Sequence, residues 1–157
     1  QCQASIDEFA SKIRIAKAAQ NTPYFLVIAR IESLILEEGM PQALKRALAY
    51  VEAGADGIMI HSRQASPCEV LTFARLFRMH HQTVPLVCVP TTYTNIRFDE
   101  LVHAGFNVVI YANQLLRAAY PAMSFVAQAI LKNGCTEKIE KYCLSTRGVL
   151  ELIPGNC

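Results

Sequence analysis

Short, wholly apolar segments that alternate with amphipathic helices are the feature that most constrains this fold. The strand-like segments lie near residues 24–31, 57–62, 84–90 and 107–112, and a helix-period pattern follows each of them. Strands with no alternation of polar and apolar residues, alternating with helices, are typical of parallel sheets covered by helices. We therefore predict an α/β fold with a parallel sheet of four strands and additional helices at the end of the chain.

Four strand–helix units are half of a (β/α)8 barrel, which typically needs about 250 residues. No Gly/Ser/Pro-rich linker or low-complexity segment divides the chain, so we expect residues 1–157 to form a single piece, half of a TIM-type barrel. An open four-stranded sheet is the structural alternative. Because the sequence begins with Gln1 rather than Met, we also expect a processed or truncated product.

Charge and hydropathy exclude several classes of partner. Fifteen Lys and Arg residues against thirteen Asp and Glu give a net charge of +2, and the basic residues are scattered, so no nucleic-acid partner is expected. The longest apolar stretch, 24–29, is far shorter than the roughly 20 residues that span a bilayer. Six cysteines show no C-x-x-C spacing, so we expect reduced cysteines in a cytoplasmic protein without a metal–thiolate site.

Polar residues follow the predicted strands at the ends where barrel enzymes place their chemistry. Arg30 and Glu32 follow the first strand, His61 the second and Thr91 the third. Arg30 interrupts an apolar run, and a buried guanidinium must be paired or face a ligand. The spacing allows either a structural Arg30–Glu32 ion pair or an anion site in which Glu32 orients Arg30. His61 and Thr91, taken alone, are more often hydrogen-bonded structural residues than ligands.

Four motifs in the same order resemble the phosphoenolpyruvate phosphomutases of the isocitrate lyase superfamily. They are VIARIESL (27–34), ALKRALAYVEAGADGIMIHS (43–62), VPTTY (89–93) and VVIYANQLLRAAYPAM (108–123). The resemblance extends over nearly the whole chain and implies the C-terminal half of a (β/α)8 barrel. The complete enzyme of this family interconverts phosphoenolpyruvate and phosphonopyruvate, which forms the carbon–phosphorus bond of phosphonate biosynthesis.

The resemblance also implies roles for individual residues. Arg30 matches the arginine that binds the anionic substrate, His61 a histidine close to the transferring phosphoryl group, and Thr91 a threonine that lines the pocket. Glu32 would hold Arg30 in place. A phosphoryl group that is being transferred is stabilised by positive charge and hydrogen-bond donors in a closed site. Mg²⁺ is the implied cofactor, with its ligands and the nucleophilic aspartate expected in an N-terminal half outside this chain.

The resemblance leaves open which reaction of the superfamily the protein catalyses and whether this chain acts as an enzyme at all. Phosphonopyruvate hydrolase is the nearer alternative, whereas the carbon–carbon lyases of the superfamily carry a glutamate where His61 stands. Three departures from the family pattern are Ser33 for alanine, Arg63 for lysine and Gln114 for histidine. We expect this chain alone to be inactive, and the complete protein to form a homo-oligomer through its C-terminal helices. A non-catalytic half-barrel that serves in binding or assembly is the rival hypothesis.

Overall fold

The computed structural model describes residues 3–153. Strands and helices alternate along the chain, and the four strands form one parallel sheet in the order β1-β2-β3-β4. The elements are α1 (Ile6–Ala18), β1 (Ile28–Ile31), α2 (Met40–Glu52), β2 (Gly57–Ile60), α3 (Cys68–Arg78), β3 (Leu86–Cys88), α4 (Phe98–His103), β4 (Val108–Val109), α5 (Gln114–Asn133), a 3₁₀ turn (Glu140–Tyr142) and α6 (Thr146–Leu150). The prediction of an α/β fold with a parallel sheet is confirmed.

One face of the sheet forms a hydrophobic core with the helices. Alternate strand residues, such as Ala29 and Ile31 of β1 and Ile58 and Ile60 of β2, are buried there. Helices α2 and α3 cover them with side chains that are completely buried: Ala43, Ala47, Val70, Phe73, Ala74 and Phe77. Since successive strand residues point to opposite faces, the residues between them project away from this core.

The described residues divide into two compact units, one up to residue 112 and one from residue 113 onward. The first unit contains the sheet and α1–α4, and the second contains α5, the 3₁₀ turn and α6. Helix α5 ends at Gly134, whose positive φ of 67° provides a left-handed cap. The expectation that residues 1–157 form one undivided piece stays a prediction.

The strands are shorter than the apolar runs that predicted them. Strand β1 begins at Ile28, four residues after the predicted start, and Tyr24 is 92% exposed. The other three predicted strands lose residues at one or both ends in the same way. Hydrophobicity predicts a strand wherever the chain is apolar, but a strand forms only where backbone groups find a partner, and β1 pairs with β2 only from Ile28.

Polar contacts connect the helices to the sheet. Lys17 at the end of α1 donates to both carboxylate oxygens of Asp56, at 2.7 and 2.8 Å, and Asp56 also accepts from the Val27 N–H at 2.8 Å. Burial would raise the pKa of Asp56, but these donors and the Lys17 charge lower it. Four described cysteines, Cys68, Cys88, Cys135 and Cys143, are free thiols, and the other two lie outside the described residues. None of the described helices is long and apolar enough to cross a membrane.

Candidate active site

Arg30 projects from the face of the sheet that the helices leave uncovered. The strand register aligns it with Met59 of β2, and Met59 with Val87 of β3. Its neighbours Ala29 and Ile31 point into the core on the other face, which places Arg30 opposite them. The guanidinium-bearing side chain retains 51% of its surface exposed. The sheet thus presents a cation rather than an apolar residue on this face.

Glu32 lies on the same side as Arg30, and its carboxylate accepts a hydrogen bond from Arg30 Nε. The carboxylate side chain is 18% exposed, so the ion pair is anchored at its acidic end and open at its basic end. Within the described residues, the Nη groups of Arg30 have no hydrogen-bond partner. This arrangement combines both sequence-based interpretations, because Glu32 fixes the guanidinium while its outer edge remains available to an anion.

His61 follows β2 directly and is half-buried near the Arg30–Glu32 pair. Burial, together with the positive charge of Arg30, lowers the pKa of His61, while the Glu32 carboxylate and the Val89 carbonyl partly oppose that shift. The imidazole is therefore favoured in its neutral form, with one nitrogen as donor and the other as acceptor. Its Nδ1 is buried and has no hydrogen-bond partner among the described residues.

Thr91 lies in the turn that follows β3, bonded to the Val89 backbone that also acts on His61. Its N–H donates to the Val89 carbonyl at 2.8 Å, and within residues 3–153 it makes no hydrogen bond to Arg30 or His61. The adjacent Thr92 instead donates from Oγ1 to the Ser62 carbonyl at 2.8 Å, which connects the loops that follow β2 and β3. Of the four predicted site residues, the structure brings Arg30, Glu32 and His61 together.

Side chains that sequence reasoning did not select complete a cavity of about 240 Å³ beside Arg30. Arg46 is among them, with its side chain only 11% exposed, and its Nη1 donates to the Ala4 carbonyl at 2.9 Å and to Tyr50 Oη at 3.0 Å. The lining consists of Gln3, Ala4, Phe9, Lys12, Arg30, Glu32, Arg46 and Tyr50. Three cations and one carboxylate line this cavity, and each cation is also paired with a glutamate: Lys12 with Glu8, Arg30 with Glu32 and Arg46 with Glu38. The i, i+4 spacing of Arg46 and Tyr50 on α2 indicates their mutual contact, but no local spacing indicates that the pair lies beside Arg30.

The three departures from the family pattern occupy different environments. Ser33 is completely buried, and its hydroxyl donates to Glu38 at 3.1 Å and accepts from Gln3 at 3.3 Å. Arg63 is exposed and pairs with Glu37 at 2.9 Å. Gln114 begins α5 and accepts from the Asn113 N–H at 3.2 Å. Only Ser33 belongs to the loop that carries Glu32.

The described residues do not form a metal centre of their own. No group of three or more His, Cys, Asp or Glu side chains in the range 3–153 is arranged to hold a metal ion. The donors that converge near Arg30 are mainly cationic, which suits an anion and opposes a divalent cation.

Comparison with known proteins shows which family this chain is similar to. The family profile described as phosphoenolpyruvate phosphomutase matches residues 1–131. A phosphoenolpyruvate phosphomutase of Streptomyces hygroscopicus is 42% identical over 127 residues, 81% of this chain and 40% of that protein. A phosphonopyruvate hydrolase of Variovorax sp. is 40% identical over 148 residues, 94% of this chain and 50% of that protein.

Solved structures give the same picture. The phosphoenolpyruvate phosphomutase of Streptomyces platensis subsp. rosaceus superimposes with a TM-score of 0.90 at 44% identity, covering 97% of this chain and 52% of that one. A phosphonopyruvate hydrolase complexed with oxalate and Mg²⁺ superimposes with a TM-score of 0.86 at 39% identity, covering 95% of this chain and 52% of that one. The chain thus spans about half the length of the relatives it matches.

Proposed function

Because this chain belongs to the phosphoenolpyruvate phosphomutase family, we propose that it supplies the C-terminal half of a (β/α)8 barrel that interconverts phosphoenolpyruvate and phosphonopyruvate. In that reaction the bond between phosphorus and the enol oxygen breaks and a bond between phosphorus and C3 forms. The substrate is a small, highly charged anion in both directions. The whole barrel, with the half that this chain does not span, would be the active species.

The observation that carries the proposal is the Arg30–Glu32–His61 group on the uncovered face of the sheet. A closed barrel places this face inside, so the open edge of the Arg30 guanidinium would meet a ligand in the barrel interior. A fixed cation in a site shielded from water stabilises a phosphoryl group strongly, since it requires no reorganisation during the reaction. The similarity to mutases at about 40% identity supports the same assignment.

Each residue of the group has a distinct task in this proposal. Arg30 binds the substrate anion and offsets charge on the phosphoryl oxygens, while Glu32 keeps the guanidinium from turning away. His61, favoured as the neutral imidazole, offers one N–H to a phosphoryl oxygen and adds no second full charge beside Arg30. Thr91 would line the pocket from the end of β3.

The similarity to its relatives supports Mg²⁺ as the cofactor of the complete barrel. One solved phosphonopyruvate hydrolase contains it together with oxalate. The described residues of this chain do not fit a divalent cation, so its ligands would come from the other half of the barrel.

Phosphonopyruvate hydrolysis is the second candidate, since the Variovorax hydrolase matches over 148 residues, more of this chain than the 127 matched in the Streptomyces hygroscopicus mutase. Hydrolysis breaks the carbon–phosphorus bond, adds water oxygen to phosphorus and yields pyruvate and inorganic phosphate. The mutase returns no phosphate to solution. The two activities therefore differ in the phosphorus-containing product.

Phosphorus NMR of a joined barrel tests the proposal. The N-terminal half of the Streptomyces platensis mutase is fused to this chain and supplied with phosphonopyruvate and Mg²⁺. We expect the phosphonate signal to be replaced by that of an enol phosphate, whereas an inorganic phosphate signal would support the hydrolase. If the folded fusion converts nothing while the unmodified mutase turns over alongside it, the proposed function is wrong.

A further inference from the structure

Tyr93 is a completely buried tyrosine next to His61 that the proposed chemistry does not use. Its ring centroid lies 6.3 Å from that of His61, with the planes inclined by 49°. Among the described residues its hydroxyl is buried without a hydrogen-bond partner, and the same holds for Nδ1 of His61. Two neighbouring side chains thus each carry an unsatisfied buried polar atom.

Leaving such atoms unsatisfied is costly, because a buried donor or acceptor without a partner loses its hydration and gains nothing. The two atoms have complementary requirements. Burial raises the pKa of Tyr93, so its phenol stays protonated and acts as a donor. Burial and Arg30 lower the pKa of His61, so a neutral ring can offer one nitrogen as an acceptor.

The Val89 backbone is the competing partner of both side chains, since it also lowers the pKa of Tyr93 against the larger effect of burial. Its carbonyl favours protonation of His61, but that carbonyl already accepts the Thr91 N–H at 2.8 Å. If Nδ1 carried a proton toward Val89, the Tyr93 hydroxyl would still lack an acceptor. If Nδ1 accepts instead, one water between the two side chains satisfies both buried atoms.

From this geometry we infer that Tyr93 is a positioning residue, whose hydroxyl donates through one bridging water to Nδ1 of His61 and so fixes the proton on Nε2. His61 then presents an N–H donor, rather than a lone pair, to the ligand side of the site. The value of that donor for phosphoryl binding rests on the proposed function, whereas the tautomer itself does not. This pairing gives the VPTTY segment a role beyond lining the pocket.

The ¹⁵N chemical shifts of the His61 ring, measured in the 157-residue chain at neutral pH, test the inference. In the unmodified chain we expect the Nε2–H tautomer, with Nδ1 at the shift of a hydrogen-bonded acceptor. In Tyr93→Phe we expect the Nδ1–H form to gain population as the ring turns to Val89, and the titration midpoint of His61 to rise because a donor to the neutral ring is lost.

Two comparisons keep the test decisive. Tyr50→Phe removes another buried hydroxyl, one bonded to Arg46 at 3.0 Å, and is expected to leave the His61 tautomer unchanged. The unmodified chain alone can also refute the inference, whatever the stability of the variant. A proton on Nδ1 in that chain, or the same tautomer ratio in Tyr93→Phe, would overturn it. Because no turnover is measured, failure here is distinct from failure of the proposed function.

Discussion

Arg30 keeps half of its side-chain surface exposed even though Glu32 holds its Nε. Arg63 offers a natural contrast, since it is exposed to a similar extent and also pairs with a glutamate, Glu37. The difference between them is position: Arg30 lies on a strand of the sheet, in register with Met59, whereas Arg63 lies in the loop after β2. Only the first would face the interior of a barrel.

Arg30→Ala is expected to weaken the binding of oxalate to the joined barrel at least about tenfold, because a charge-assisted contact to the anion is lost. Isothermal titration calorimetry in the presence of Mg²⁺ measures this directly. Arg63→Ala is the matched control and is expected to bind oxalate like the unmodified protein. Equal losses in both variants would mean that the effect is general electrostatics rather than a contact from Arg30.

His61 gives the folded chain a pH dependence whose sign follows from its lowered pKa. The unfolded state, with the ordinary value of 6.5, binds the proton more readily than the folded state. The contribution of His61 to stability is therefore complete above pH 6.5 and is lost as the pH falls toward the lower folded-state value. His61→Asn is expected to flatten the urea-unfolding free energy over roughly pH 5 to 7. If the unfolding free energy of His61→Asn depended on pH as steeply as that of the unmodified chain, His61 would not be the source of this pH dependence.

At the scale of elements, Arg78 connects the end of α3 to the segments that precede β3 and β4. Its guanidinium donates to the carbonyls of Val84 at 2.7 Å and His81 at 3.0 Å, to Gln82 at 3.2 Å, to Gly105, and to the Asn107 side chain at 2.7 Å. Asn107 in turn accepts from the Leu86 N–H at 2.9 Å. A single side chain thus satisfies carbonyls that no strand pairs.

Arg78→Lys is expected to lower the free energy of unfolding by about 2 kcal/mol, because an ammonium cannot span the same set of carbonyls and a hydrogen bond to a charged group is worth about 1.5–3 kcal/mol. Chemical denaturation measures the change. Arg75→Lys, on the exposed side of the same helix, serves as the control and is expected to change little. A loss no greater than that of the control would show that Arg78 is not a structural link.

The elements also show what could be predicted from the sequence. The order and type of the strands and of the longer helices follow from periodicity, since burial against helices requires that pattern wherever it occurs. The ends of the strands could not be predicted from periodicity, because Tyr24 is as apolar as a strand residue but has no neighbouring strand to pair with.

The residues of the candidate site that could be predicted are those whose side-chain type is unusual at their position in the sequence. Arg30 was selected because a charged residue interrupts an apolar strand, and its pairing with Glu32 followed from their spacing. Tyr93 and Arg46 were not selected, because each is ordinary in sequence and gains interest only from what the fold brings next to it. Proximity across the sheet and between helices is not encoded in local spacing.

At the scale of the whole molecule, the sheet face that carries Arg30 would need the other half of the barrel to close over it. This chain is expected to convert no phosphonopyruvate by itself, since the nucleophilic aspartate is expected in the N-terminal half and the described residues form no metal site. Phosphorus NMR with Mg²⁺ measures this, and addition of the separately expressed N-terminal half of the Streptomyces platensis mutase should restore turnover. Conversion by this chain alone would contradict the half-barrel account.

The second unit carries exposed apolar side chains that favour association between copies of the chain. Leu115 and Leu131 of α5 are each 86% exposed, and apolar side chains that project so far favour burial against a partner. We propose a homo-oligomer formed through these helices, with association measured by light scattering over a range of concentrations. Leu115→Lys combined with Leu131→Lys should reduce the mass of the assembly, whereas Gln128→Lys on the same helix should not. A concentration-independent monomer would refute the proposal.

The most direct test of the central claim, that the uncovered sheet face is the inner wall of an active site, is a crystal structure of the joined barrel with oxalate and Mg²⁺. We expect the N-terminal half to close over this face and oxalate to lie within hydrogen-bonding distance of the Arg30 guanidinium, with His61 Nε2 directed into the same cavity. Oxalate bound away from both residues, or a barrel interior filled by side chains at Arg30, would contradict the claim.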